Sequence, residues 1–283
     1  MQGASLRNRM KAYESVTRDY LIKRMPVIIR LDGKAFHSFT KGFVKPFDEI
    51  LSTAMQDTMW YLCENIQNCV LGYTQSDEIS LILVDYEKID TESWFNNNIQ
   101  KIVSISASMA TTAFNIRFRR LVDTYCNIGG FIDKKQTPYW SKKSLLSGAS
   151  DGDYKFGLFD SRAFNIPKEE VNNYMIWRQQ DATRNSIQSL AQTLYSQKEL
   201  EGISNNDLQN KMFTEKDVNW NDLPEWNKRG CCCIKKPMFV KVHDEIHDTD
   251  RKQLISRMKW VIDMNIPIFS QNTKYINTKI MLD

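Results

Sequence analysis

The chain has no run approaching the roughly 18 apolar residues of a membrane span, so a membrane partner is not expected. Its opening residues, MQGASLRNRMKAYESV, contain no apolar core of signal-peptide type and mix both charge signs, which makes the cytoplasm the expected compartment. Excess charge is small. A net +4 over 283 residues permits an anionic partner without demanding one. Spaced cysteine pairs are missing too. Cys63, Cys69, Cys126 and the adjacent Cys231-Cys232-Cys233 do not form the separated pairs of a zinc site and read as reduced structural thiols. The stretch His243-Asp244-Glu245-Ile246-His247 has metal-ligand residue types but reads as a solvated charged turn. Internal repeats and low-complexity tracts are absent.

What is present is ordinary for a soluble globular protein: 42% hydrophobic and 25% charged residues, enough for one large domain or two modest ones. Val27-Ile28-Ile29-Arg30-Leu31 is a β-branched run ended by Asp32-Gly33, a strand entering a turn. After Pro46, apolar residues at 47, 50, 51, 54, 55, 59 and 62 recur at helical spacing, with Asp48 and Glu49 in the first turn. Strand-like runs follow at 69–74 and 79–85, then a helix from about 94 to 120 rich in Ala, Ser and Thr, and a candidate strand in 156–164. Residues 141–155 read as a loop and 168–199 as a long helix. Residues 201–236 read as irregular structure, and 250–263 as a helix.

Strand, helix, strand, strand, helix, strand is the order of a split βαβ unit. The expected fold class is therefore α+β: a ferredoxin-like palm, an antiparallel sheet with helices on one face, plus a helical and irregular C-terminal extension. The expected divisions are 1–140 for the palm-type domain, 141–236 for the rest of the catalytic fold, and 237–283 for an extension of unknown role. In such a sheet the first strand lies beside the hairpin, so Asp32 and Asp77 become neighbours.

That neighbourhood bears on an oddity in the stretch GYTQSDEIS, residues 72–80. Asp77 and Glu78 stand between apolar strand segments, and burying an unpaired carboxylate is costly. Two converging carboxylates also repel, by about 1–4 kcal/mol at 4 Å depending on the effective dielectric. A divalent cation reverses the sign. Magnesium takes few carboxylates and completes its shell with water and phosphate oxygens. A pair of ions can hold both oxygens of an in-line phosphoryl displacement. Gly33 allows close backbone approach beside Asp32. Lys34, His37, Lys41 and Lys45 follow, Asp48 opens a helix whose amides suit an anion, and Lys101 adds a cation on the second long helix. Singly, each lysine reads as solvated surface; together with the acids they suit a metal–nucleotide site.

The combination of Arg30-Leu31-Asp32-Gly33-Lys34-Ala35-Phe36-His37, Lys45-Pro46-Phe47-Asp48 and Gln75-Ser76-Asp77-Glu78 resembles the tRNA-histidine guanylyltransferase family of 3′–5′ polymerases. The resemblance continues through Phe159-Asp160-Ser161-Arg162, Trp177–Ser186, Asn219–Asp222 and Lys228-Arg229-Gly230, spanning about 5–236. It implies an enzyme using two Mg2+ ions that adds nucleotides to the 5′ end of tRNA. ATP activates the 5′-phosphate as an adenylylated intermediate, and the 3′-hydroxyl of an incoming GTP or other NTP then attacks. By this resemblance Asp32 and Asp77 are catalytic and hold both metals with the Gly33 carbonyl. Residues Asp32, Gly33, Lys34, Ala35, Phe36 and His37, with Ser76 and Asp77, line the nucleotide site. Lys45, Asp48 and Lys101 contact or organise triphosphate. Glu78 stands behind Asp77, its side chain expected on the other sheet face. Arg178, Arg184, Asn185, Lys228 and Arg229 are the expected tRNA contacts, and a homotetramer is the expected assembly, with the Ala- and Ser-rich face of 103–113 permitting close helix contacts.

Two departures qualify the match. Histidine-tRNA-specific members carry a His-Ile-Asn type stretch where this chain has Thr183, Arg184 and Asn185, which resembles the guanylyltransferase-like branch that repairs tRNA 5′ ends by templated addition. Asn97-Asn98 stand where basic residues often precede the position of Lys101. Other readings stay open from the residues alone: an Arg178–Asp181 salt bridge in place of an RNA contact, and core anchoring for Trp220 and Trp226. At the level of function, a palm-type nucleotidyl cyclase or other phosphoryl transferase would share the acids without needing 177–186 or 219–230. A catalytically silent RNA-binding protein would have no use for both acids.

Overall fold

The computed structural model describes residues 5–127, 140, 155–242 and 253–281. Six strands form one sheet in which every neighbouring pair is antiparallel: β1 (Val27–Gly33), β2 (Cys69–Gln75), β3 (Glu78–Leu83), β4 (Phe159–Asn165), β5 (Cys231–Val242) and β6 (Gln253–Asp263), in the order β4-β1-β3-β2-β5-β6. The helices are α1 (Leu6–Ser15), α2 (Phe36–Phe39), α3 (Glu49–Asn65), α4 (Ile99–Asn127), α5 (Val171–Leu194), α6 (Gln197–Leu200), α7 (Asn205–Lys216), α8 (Glu225–Arg229) and α9 (Lys274–Asn277). No described helix is long and apolar enough to cross a membrane.

The apolar runs of β1 and β3 are unbroken because both sheet faces are covered. Val27, Ile29 and Leu31 of β1 and Ile79, Leu81 and Leu83 of β3 pack under α3 and α4. Ile28 and Ile82 face the opposite way, toward Val171, Tyr174 and Met175 of α5 and toward Phe269, Ile276 and Ile280. Helices on one face therefore describes only the α3–α4 side; α5 and the C-terminal residues close the other. The small residues of α4 serve this packing. Ser106, Ala110 and Ala113 are buried within the chain, with the Ser106 and Ser161 hydroxyls 2.7 Å apart, so the face expected to meet another copy is largely used internally.

Two further expectations fail. Residues 253–263 are strand where a helix over 250–263 was expected: their backbone pairs with β5 from Gln253 opposite Val242 to Asp263 opposite Cys232. The irregular stretch 201–236 contains α7 and α8, and then Cys231 opens β5 against Thr74 of β2. Residues 141–154 of the loop expected over 141–155, and the His243–His247 stretch, lie outside the described residues. The three adjacent cysteines splay by strand alternation: Cys231 and Cys233 enter the α3–α4 layer and Cys232 the α5 layer, all as buried free thiols.

Candidate active site

The β1–β3 register builds the site. Asp32 is the direct partner of Glu78, and the Gly33 amide donates to the Asp77 carbonyl at 3.0 Å. The β2–β3 turn is tight, with Ser76 at a left-handed φ of 50° and its hydroxyl donating to Asp77 Oδ1 at 3.0 Å. Asp32 and Asp77 thus meet at one end of the sheet. Burial pushes the Asp77 carboxyl above its usual range. The Ser76 hydrogen bond and His37 oppose that rise, while the charge of Asp32 adds to it.

Glu78 is treated differently. Arg178 Nη1 donates to Glu78 Oε1 and Oε2 at 3.1 and 2.9 Å, and Arg30 Nη2 to Oε2 at 2.7 Å. Burial raises the Glu78 carboxyl, and the two guanidiniums, Arg178 first, pull it back down. The expectation that Glu78 faces away by strand alternation does not apply, because Asp77 lies in the turn. Glu78 shares the face of Asp32, its cross-strand partner, with its oxygens taken by arginine.

A cleft of about 460 Å³ opens at this end, within the size range of small-molecule sites. Its walls include Asp32, Gly33, Ala35, His37, Lys45, Asp48, Ser76 and Asp77, and also Thr40 and Ser189, which the sequence reading missed. Gly33 is required by crowding: a Cβ there would stand 2.4 Å from the Phe36 ring. Phe36 itself is core, 3% exposed and clustered with Phe39, Phe114 and Phe159, so only its backbone is left to serve a nucleotide. Lys34 is exposed outside the cleft lining, its amide donating to the Leu158 carbonyl at 2.8 Å.

Asp48 is buried and caps α3. It accepts from the Leu51 amide at 2.9 Å, the Val44 amide at 3.0 Å and Trp140 Nε1 at 2.9 Å. With those donors bound it fixes the start of α3 on the cleft wall. Lys101 lies elsewhere. It starts α4, which follows the far end of β3, and its ammonium sits 5.9 Å over the Phe95 ring.

Beside the cleft, a narrower pocket of about 130 Å³ is lined by Gln75, Asn185, Ser186, Ser189, Trp226 and Asn227 among others. Asn185 is thus brought to the site. Arg178 and Lys228, expected on RNA, are not free for it. Arg178 is 2% exposed, bound to Glu78 and 3.5 Å from Asp181. Lys228 donates to the Asn221 carbonyl at 2.8 Å and pairs with Glu225 at 3.1 Å. Arg229 pairs with Glu225, and exposed Arg184 with Asp181. Trp220 is an anchor, its Nε1 donating to Ser186 Oγ at 3.0 Å. Gly230 follows at φ 79°, where a Cβ would stand 2.5 Å from the Thr74 carbonyl oxygen.

Among the described residues no three His, Cys, Asp or Glu side chains gather as a metal-binding group. With Glu78 engaged, the donors left are two carboxylates and backbone oxygen, a set that suits a hard cation completing its shell from water and phosphate, and not a zinc site.

Paired acids beside a lysine-bearing cleft are what a nucleotidyltransferase needs to hold a metal-bound triphosphate. The model of the Thg1 family, tRNAHis guanylyltransferase, matches residues 7–167, and the chain belongs to that family. A solved bacterial tRNA(His) guanylyltransferase (Thg1)-like protein in complex with ATP is similar over 99% of this chain and 100% of that one, at 40% identity and a TM-score of 0.78. A second, in complex with GTP, matches at 38% identity and 0.73, covering 98% and 99%. The tRNA(His) guanylyltransferase of Saccharomyces cerevisiae is 26% identical over 80% of this chain and 90% of its own.

Proposed function

We propose that this protein is a template-dependent 3′–5′ nucleotidyltransferase that adds nucleotides to the 5′ end of tRNA. The observation that carries the reading is the convergence of Asp32 with Asp77 at a cleft of nucleotide size, in a chain alike from end to end to proteins solved with ATP and with GTP. The strand order β4-β1-β3-β2 is what a ferredoxin-like palm requires and supports that description of the frame.

Asp32, Asp77 and the Gly33 carbonyl are the groups to hold two Mg2+ ions, which when bound supply the charge that stabilises the attacking and leaving oxygens of phosphoryl transfer. Arg30 and Arg178 keep Glu78 out of that ligand set. Lys45, exposed on the cleft wall, meets the triphosphate, and His37 stands near Asp77. Asp48 fixes the start of α3 so that this wall keeps its shape. In the first step a 5′-phosphate oxygen attacks the α-phosphorus of ATP and pyrophosphate leaves. In the second, the 3′-hydroxyl of the incoming NTP attacks the activated 5′ phosphorus and AMP leaves.

Thr183-Arg184-Asn185 in place of His-Ile-Asn favours repair of various tRNAs over obligate guanosine addition to histidine tRNA. A cytoplasmic homotetramer belongs to the same reading. The contact between copies is supported by α1, which buries none of its residues within the chain and leaves Leu6, Met10 and Tyr13 exposed.

The test is a nucleotide-addition assay with Mg2+, ATP and GTP on 5′-monophosphorylated tRNA lacking its first nucleotide. Extension that restores the missing base pair and stops there is the expected result. Cyclic nucleotide or RNA-independent pyrophosphate release, with no extension, would overturn it in favour of a palm-type cyclase or related transferase.

A further inference from the structure

The edge strand β4 adds another acid to the row that carries Asp32. Asp32 is the direct partner of Glu78 on β3 and, on its other side, of Asp160 on β4. Directly opposed residues share a face and hold their Cβ atoms about 4.5–5.5 Å apart. The chain neighbours of Asp160 turn the other way, Phe159 into the α3–α4 layer and Ser161 to Ser106 of α4. Alternation therefore sets Asp160 on the face of Asp32 and Glu78.

The two acids that flank Asp32 are handled in opposite ways. Glu78 is buried and held by Arg30 and Arg178 at 2.7 and 2.9 Å. Among the described residues Asp160 has one cation near it, Arg162 at 3.6 Å, and the two side chains are 54 and 56% exposed. A pair so exposed contributes little and is screened by salt. Arg162 itself lies opposite Arg30. Like charges directly opposed in an antiparallel pair are destabilising, so the Asp32–Asp160 register weakens the sheet edge unless a cation joins them.

We propose that Asp160 is a positioning residue for the cation that Asp32 is to hold, accepting hydrogen bonds from water on that ion without ligating it. The inference rests on the metal–nucleotide reading of the site. Asp160 is outside the cleft lining, and no three acids gather as a direct ligand group among the described residues, so contact through water is the role open to it. Magnesium bound by few carboxylates keeps several waters. Carboxylates behind a metal site orient its ligands, and losing one typically costs about 10–100-fold in metal affinity or activity. A cation at Asp32 also turns the repulsion between Asp32 and Asp160 into attraction of both to the ion.

The experiment reads metal binding without turnover. Melting temperature is followed through a Mg2+ titration, with ATP present and RNA absent, for wild type, Asp160→Asn, Arg162→Gln and Asp77→Ala. In Asp160→Asn the Mg2+ concentration giving half of the stabilisation should rise about tenfold. Its melting temperature without metal should hold or rise, since an opposed charge is gone. In Arg162→Gln, which frees Asp160 from its partner, that concentration should hold or fall. Nucleotide addition should follow: the kcat that Asp160→Asn loses at low Mg2+ should return at high Mg2+, with KM for RNA unchanged. An unchanged Mg2+ midpoint in Asp160→Asn would overturn the proposal. So would an equal rise in Arg162→Gln, which would mark the ion pair as a brace for the edge strand. If the wild type gains no stability from Mg2+ with ATP, or Asp77→Ala gains as much, the metal site itself fails and the proposal with it.

Discussion

Asp32 and Glu78 face each other across β1 and β3, and the protein neutralises only one of them: Arg30 and Arg178 clasp Glu78, while no described cation is ion-paired to Asp32. Among the described residues, neither Asp32 nor Asp77 has an ion-pair partner. Their replacement by Ala should abolish nucleotide transfer and leave the fold intact, or more stable, since a repelling charge is gone. Turnover and melting temperature are to be measured together. A folded Asp77→Ala enzyme with normal turnover would end the catalytic assignment.

The Glu78 clamp should be a matter of stability first. Removing one partner of a buried ion pair typically costs about 3–5 kcal/mol, because the other charge stays buried. Arg178→Ala should fall in that range by urea denaturation, since the Arg178 side chain is 3% accessible. A cost under about 1 kcal/mol would mean that Glu78 finds its compensation elsewhere.

Asp48 separates scaffold from substrate contact. Loss of an N-cap costs roughly 0.5–2 kcal/mol, and a buried indole N–H left unmet adds to it. Asp48→Ala should therefore lower stability measurably, whereas Asp48→Asn keeps an acceptor oxygen and should retain most stability and KM for nucleotide. If Asp48→Asn raised that KM tenfold with its stability unchanged, the carboxylate charge would act on the substrate after all.

Alkaline pH tests the α5 side of the sheet. Burial, aided by the nearby charge of Glu78 and opposed by the Ser80 hydrogen bond, pushes Tyr174 from 10.0 up to about 12. A raised folded value means that its contribution is intact below pH 10 and is lost as pH climbs through 12. Two units correspond to about 2.7 kcal/mol. Stability should fall over that window, and less steeply in Tyr174→Phe. Equal slopes in the two proteins would remove Tyr174 as the cause.

Much of this was legible in residue patterns. The apolar runs around Arg30 and Ser80 announced buried strands, and the strand–helix–strand–strand order placed Asp32 near Asp77. What escaped depended on pairing at a distance. Arg178 looked like an RNA contact because helical spacing shows which residues share a face but not what that face meets, here Glu78 a hundred residues earlier. Lys101 followed the order of the motifs, and motif order does not record which end of a helix reaches the cleft. Residues 250–263 read as helix in the sequence because a ribbon exposed along much of its length lacks the clean apolar alternation of a strand half-buried in a core.

The splayed cysteines provide a built-in stratigraphy. Because Cys231 and Cys233 report on one layer and Cys232 on the other, the order in which a thiol reagent modifies them records which side of the sheet is breached first. Neighbours in the chain that point to opposite faces also resist joining as a disulfide, so oxidation of the native protein has to open the sheet before it can link them.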